Sequence, residues 1–404
     1  MNSIPQPKGR ESRIHGLDAM RACMMLLGLI VHAAGSYVPT FPTAEWPFRD
    51  PNSAPLLLYV VLFIKVFRMP AFFMFAGFFT ALLLARQSVG AFLRNRGERI
   101  LVPLIVGWAV LYLPTYIGFT YANTGEWFLR ERLLNIGWQT PGILMHLWFL
   151  YYLLFMYTGA LLARRVALLL PTAARKLNEF MISVLQSRWR LPLLSLPMAL
   201  VMFPVGYLPS PMTLLPNLRV FTAYSYCFFV GWHLYKLKQD LGLLVRAWPT
   251  YLFVGVLAAC LNIFALILLL GGNRDLVTML SSSLLSVIAC WGIILGLIGI
   301  FLYVFPKRSP IMDYLMDASY WIYLIHVPIV TNTAALLKPL TLSGYNKFIL
   351  VVIVATAVSL LTYQLFVRYS FIGAVLNGRR NFIQKISPIP VAVNFISSNN
   401  RNQV

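Results

Sequence analysis

Runs of about twenty apolar residues recur about ten times along this chain, and no other feature narrows its fold as far. Crossing the roughly 30 Å hydrocarbon core of a bilayer takes about 20 helical residues. Lipid offers no partner to a free backbone N–H or C=O, so such runs cross as closed helices. The chain is therefore expected to be an all-α polytopic membrane protein, one bundle of about ten transmembrane helices. The expected spans are 17–37, 69–86, 100–120, 143–163, 191–208, 219–235, 249–270, 281–305, 314–337 and 348–371. The fifth is the weakest, because Pro192, Pro197 and Pro204 crowd one short segment. Residues 54–68 are apolar too, but joining them to 69–86 would make a helix of about 50 Å, longer than a bilayer needs. Pro70 offers a break, so 54–68 is expected near the outer interface, with Lys65 and Arg68 at its far end.

Charge supports this layout. Only 11% of the residues are charged and 59% are hydrophobic, against about 25% charged in soluble domains. With the N-terminus placed in the cytoplasm and the spans alternating, the inside segments hold about three times as many Lys and Arg as the outside ones. Both termini are then cytoplasmic and the number of spans is even. The net charge of +21 is accounted for by topology and attraction to lipid headgroups, so no nucleic-acid partner is called for. The four cysteines all lie in apolar runs, as reduced packing residues do, and no metal-ligand spacing is visible. Lys8, Arg10 and Arg13 ahead of an apolar run resemble a signal peptide, but Arg21 inside the run and the spans that follow it favour a retained first helix. The expected division is a cytoplasmic arm (1–16), one transmembrane domain (17–372) and a polar, disordered cytoplasmic tail (373–404).

Ionisable groups inside apolar runs are the candidates for chemistry, since an arginine at mid-membrane costs about 2.5–3.5 kcal/mol. In LDAMRACMMLLGLIVHAAGSY (17–37), Arg21 and His32 are eleven residues apart. That spacing returns a helix to nearly the same face roughly 16 Å further on. Asp18 is a structural partner for Arg21; His32 has none within its own helical turn. The pair suggests a passage reaching from the cytoplasmic side to the outer leaflet, with a neutral imidazole able to serve as a base. FLRNRGERILVP (92–103) places Arg94, Arg96 and Arg99 at the mouth of the third span. Arginine forks suit phosphate, though a basic flank of this kind also follows from topology alone. In the ninth span, Asp317, Ser319, Tyr323 and His326 share a face, which reads either as a hydroxyl chain feeding an imidazole or as interhelical hydrogen bonding. His146 and Trp148 lie near the outer end of the fourth span, as contacts or as anchors, and His233 reads as interfacial.

Arg21 followed ten residues later by His32, Arg96-x-x-Arg99, and Tyr323-Leu-Ile-His326 together resemble the membrane-bound acyltransferase-3 family. LDAMRACMMLLGLIVH, FRMPAFFMFAGFF, HLWFL and DASYWIYLIHVP are most similar to its glucan biosynthesis protein C branch, and the likeness runs from about 14 to 372. The resemblance implies acyl transfer from cytoplasmic acyl-CoA, succinyl-CoA or acetyl-CoA, to a carbohydrate hydroxyl such as that of a periplasmic glucan. It implies a bacterial inner membrane, no permanently bound cofactor and no metal, and leaves room for glucan-synthesis partner proteins. His32 would be the base, Arg21 a cation at the thioester and His326 a second catalytic imidazole. Arg94, Arg96 and Arg99 would bind CoA; Arg68, His146, Trp148 and Tyr323 would contact the acyl group or the acceptor. Lys65 is expected as a headgroup anchor. Other acceptors (O-antigen, exopolysaccharide, a small molecule) stay open, as does a proton-coupled transporter or flippase.

Overall fold

The computed structural model describes residues 14–43, 45–127 and 142–378. The expected disordered tail from 379 onward and most of the N-terminal arm lie outside the described residues. Within them the chain is helical throughout: α1 (His15–Ala34), α2 (Leu57–Arg86), α3 (Val89–Arg96), α4 (Val102–Thr124), α5 (Trp148–Leu169), α6 (Pro171–Gln186), α7 (Arg190–Met202), α8 (Leu218–Lys236), α9 (Gly242–Leu270), α10 (Leu276–Val304), α11 (Pro310–Leu337), α12 (Gly344–Thr362) and α13 (Phe371–Asn377). A π turn at Gly97–Leu101 joins α3 to α4 without a break.

Eight helices among the described residues are long and apolar enough to cross a membrane. They coincide with eight of the ten expected spans. The expected span 191–208 is the 13-residue α7, about 20 Å long and too short to cross. The expected span 219–235 is the 19-residue α8, which falls outside the eight. Its glycine explains its place: a Cβ on Gly231 would lie 1.8 Å from the Met74 carbonyl oxygen, and one on Gly77 would lie 1.9 Å from that of Phe228. Two bare backbones thus meet, so α8 packs flush on α2 inside the bundle.

The largest correction concerns 54–68. Residues 57–86 form one 30-residue helix that runs straight through Pro70. Proline costs an interior helix one hydrogen bond, and membrane helices tolerate it where neighbouring helices pack around the site. At about 45 Å the helix is long, but continuity carries Arg68 into the bundle, where it is only 8% exposed. The expected start of the tail at 373 likewise falls inside α13, which is folded back against Arg99.

The loop between α1 and α2 is built rather than slack. Arg49 donates to the carbonyls of Gly35, Phe41, Trp46 and Phe48. Asp50 forms a fully buried ion pair with Lys347 of α12, 3.0 Å long. A charge buried without its partner would cost several kcal/mol, so this pair pins the loop to the bundle. The loop in turn carries Trp46 over the end of α1.

Candidate active site

Two polar sites occupy the bundle, with an aromatic layer between them. The first is a cavity of about 680 Å³. Arg21, Arg86, Arg96, Arg99 and Lys238 face it, against only two carboxylates, Asp18 and Asp317. Asp18 lies 4.0 Å from Arg21, the limit of an ion pair, so Arg21 stays available to an anion. Arg96 donates to Asn95 and reaches Tyr157, and its Nε is buried without a partner. Arg99 is more committed: Nε and Nη2 both donate to the Leu376 carbonyl, at 3.2 and 3.0 Å. A cation on the last carbonyls of a helix is favourable, so Arg99 caps α13 and holds it across the cavity. Arg94 does not join this group. Its side chain is 83% exposed and pairs with Glu98, because the helical turn that aims Arg96 inward aims position 94 outward.

The second site is a cluster of three imidazoles. His32 closes α1, His146 sits on a 3₁₀ turn ahead of α5, and His326 lies in α11. Ring centroids are 5.2 Å apart for His32–His326, 5.1 Å for His146–His326 and 6.4 Å for His32–His146. His146 and His326 are 4% and 1% exposed; His32 is partly exposed. Trp46 lies 5.6 Å from His32 and is held by an indole N–H bond of 2.8 Å to Ser36. Among the described residues no group of His, Cys, Asp or Glu is arranged to hold a metal ion.

The local sequence explains the two buried rings. Pro328 has no N–H to give the Leu324 carbonyl four residues earlier. His146 Nε2 donates to that oxygen instead, at 2.9 Å. His326 Nδ1 donates to the carbonyls of Ile322 and Tyr323, at 3.0 and 2.8 Å. Carbonyls only accept, so both tautomers are fixed. His146 Nδ1 and His326 Nε2 are left as lone pairs, buried and without partners among the described residues. The 3₁₀ turn that delivers His146 is strained, since Met145 adopts φ 48°, a region costly for a non-glycine residue.

Arg68 completes this site. It is close enough for its charge to act on all three imidazoles. Its one hydrogen bond runs from Nε to the Met24 carbonyl at 3.3 Å, and no carboxylate among the described residues pairs with it. Lys65, one turn earlier, is instead bound to Glu45 at 2.9 Å, which corrects its reading as a headgroup anchor.

Phe72 and Phe149 line the cavity and stand 5.5 Å apart. On their far side Phe72 meets the Arg68 guanidinium and Phe149 meets Tyr323. Neither Arg68 nor any of the three imidazoles lines the cavity. The expected open passage from the arginines to His32 is therefore interrupted by this aromatic layer. Of the two readings of the face carrying Ser319, Tyr323 and His326, the hydroxyl chain does not form. Ser319 bonds back to Met316, and Tyr323 donates to the His146 backbone carbonyl at 2.9 Å, bracing that turn. Trp148 stacks on Tyr224 within the core and meets neither site, so it is a packing residue. His233 bonds Asn178 and Phe229 at a helix end.

Comparison with known proteins agrees with the motifs. Glucans biosynthesis protein C of Salmonella enteritidis, Salmonella gallinarum and Salmonella dublin are each 30% identical over 163 residues, 39% of this chain and 39% of each relative. The match thus spans well under half the length of these relatives. No solved structure matches. The acyltransferase-3 model, an acyltransferase domain, matches residues 14–367, a stretch that contains both polar sites, and the chain belongs to the acyltransferase-3 family.

Proposed function

We propose that this protein moves an acyl group from acyl-CoA, held in the arginine-lined cavity, to a carbohydrate hydroxyl at the imidazole cluster. The observation that carries the reading is the pairing of sites: a basic cavity on one side of Phe72 and Phe149, three imidazoles and an unpaired guanidinium on the other. CoA is strongly anionic and suits Arg21 and Arg96. A sugar hydroxyl is a poor nucleophile near neutral pH, and an imidazole that takes its proton supplies about 10²–10⁴ in rate. The cationic end of the bundle faces the cytoplasm on the positive-inside argument, with the imidazoles towards the periplasm of a bacterial inner membrane. Succinyl is the acyl group that the motif resemblance favours, and a glucan is the favoured acceptor, by similarity to relatives named for glucan biosynthesis. The thioester end must pass between Phe72 and Phe149 to react, so these rings form a partition that opens for the donor arm.

The test is purified full-length protein in nanodiscs, given succinyl-CoA or acetyl-CoA and a glucan. Free CoA thiol together with a mass increment on the sugar supports the reading. Neither product with either donor overturns it, and glucan movement across vesicles without chemistry supports a transporter.

Two outcomes are expected of the scaffold. Arg96→Ala raises KM for acyl-CoA by about tenfold with a smaller change in kcat, as loss of a ground-state phosphate contact does; Arg99→Ala chiefly frees α13, read as faster proteolysis near residue 378. Pro328→Ala restores a helical N–H to the Leu324 carbonyl and makes it compete with His146. Initial rates should fall by about tenfold, the usual cost of disturbing a group that orients a functional imidazole.

A further inference from the structure

His326 Nε2 is a lone pair buried without a donor, 5.2 Å ring to ring from His32. Two imidazoles joined by an N–H···N bond of ordinary length have centroids about 5 Å apart, so the separation already matches; a rotation of the ring brings the nitrogens into line. His32 can make that rotation, because among the described residues no hydrogen bond holds either of its nitrogens, and the residue is partly exposed where His146 and His326 are buried. His326 cannot turn, since Nδ1 is held by two backbone carbonyls. We propose that His326 is the positioning residue of the site: its Nε2 accepts the N–H of His32, fixes the tautomer of that ring, and leaves the other His32 nitrogen bare for the acceptor hydroxyl. The proposal rests on the acyl-transfer reading and deepens it.

The arrangement has the logic of a serine–histidine–acid triad, with a neutral imidazole in place of the acid. As the acceptor oxygen attacks the thioester carbon, its proton passes to the bare nitrogen of His32. The carbon–sulfur bond breaks, and the cluster holds one extra proton, which the His32 N–H bond shares with His326 Nε2. His146 lies 5.1 Å from His326 ring to ring, and its own Nδ1 lone pair has no partner among the described residues. The departing CoA thiolate then takes the proton, and the three rings return neutral. Arg68 and Lys65 are the fixed charges whose fields reach His32.

Two substitutions separate positioning from packing. In His326→Asn the side-chain amide keeps the N–H that Ile322 and Tyr323 accept but has nothing at the Nε2 position. In His326→Gln an amide oxygen returns to about that position. His326→Asn should lower kcat by about 10²-fold or more, as loss of a tautomer-fixing partner does, and His326→Gln should recover about tenfold of it. Independently of turnover, ¹⁵N-histidine-labelled full-length protein in bilayers should show a correlation across an N–H···N bond between residues 32 and 326, lost in His326→Asn. Absence of that correlation in the wild type overturns the proposal. So does His326→Asn with wild-type kcat, or with a loss that His326→Gln does not relieve. Wild-type protein that turns over no acyl-CoA overturns the acyl-transfer reading instead, while the correlation still decides the pairing of the rings.

Discussion

Alanine at position 32 abolishes acyl transfer while the protein continues to accumulate in the membrane: this is the expected result for His32→Ala. In the proposed reaction the imidazole is the base that makes the hydroxyl reactive, and its loss would remove about 10²–10⁴ in rate, or about 3–5 kcal/mol of barrier. The fold should tolerate the change. Among the described residues no side-chain hydrogen bond holds His32, and the loop above it is fixed from elsewhere, by Arg49 and by the buried Asp50–Lys347 pair. Trp46 keeps its bond to Ser36 in the variant, so the cover over the site stays in place. The measurement is acylated product per mole of folded, detergent-stable protein. Activity within a few-fold of wild type would remove His32 from the base role and move attention to His326, whose lone pair is the more rigidly aimed.

The helices were legible in the sequence because lipid leaves a spanning backbone so few solutions, and Arg21 and His32 stood out because charge inside such a run has to have a reason. The convergence of His32, His146 and His326 was not legible. Each lies on a different element, and periodicity orders the residues of one helix without saying which helices touch. One local signal could have narrowed it: in HVP (326–328) the proline leaves the Leu324 carbonyl without a helical donor, so another element has to supply one, and His146 does. Trp46 was invisible because a tryptophan between two spans reads as an interfacial anchor. In the sequence Pro70 suggests a break because a proline interrupts an isolated helix more readily than one packed in a bundle, and the continuous helix puts Arg68 in the core and not at the surface. Arg94, Arg96 and Arg99 form one motif in sequence, yet the helical turn divides them into an exposed ion pair, a free cavity cation and a cap on α13.

The buried charge at Arg68 leads to the second large effect. A guanidinium 8% exposed, with a single hydrogen bond of 3.3 Å and no carboxylate to neutralise it among the described residues, is a cation waiting for an anion. It also sits beside imidazoles that must gain positive charge during the reaction, which its field opposes. A donor that brings its own carboxylate would resolve both difficulties at once: under the proposed function, the free carboxylate of a succinyl group would pair with Arg68 and lift the penalty on the imidazolium. The bundle is shaped to keep Arg68 there, since Gly28 of α1 has no Cβ, and one would lie 2.3 Å from Arg68 Nη2. Succinyl-CoA should accordingly be used with a higher kcat/KM than acetyl-CoA. Arg68→Gln should cut kcat/KM for succinyl-CoA by about 10–10²-fold, the worth of a hydrogen bond to a charged group at about 1.5–3 kcal/mol, while acetyl-CoA loses far less. Gly28→Ala, which forces the guanidinium aside without removing it, should move the ratio in the same direction by a smaller factor. Steady-state rates with the two donors at a fixed glucan concentration measure that ratio directly. An equal loss for both donors would make Arg68 a packing residue with no part in choosing the acyl group.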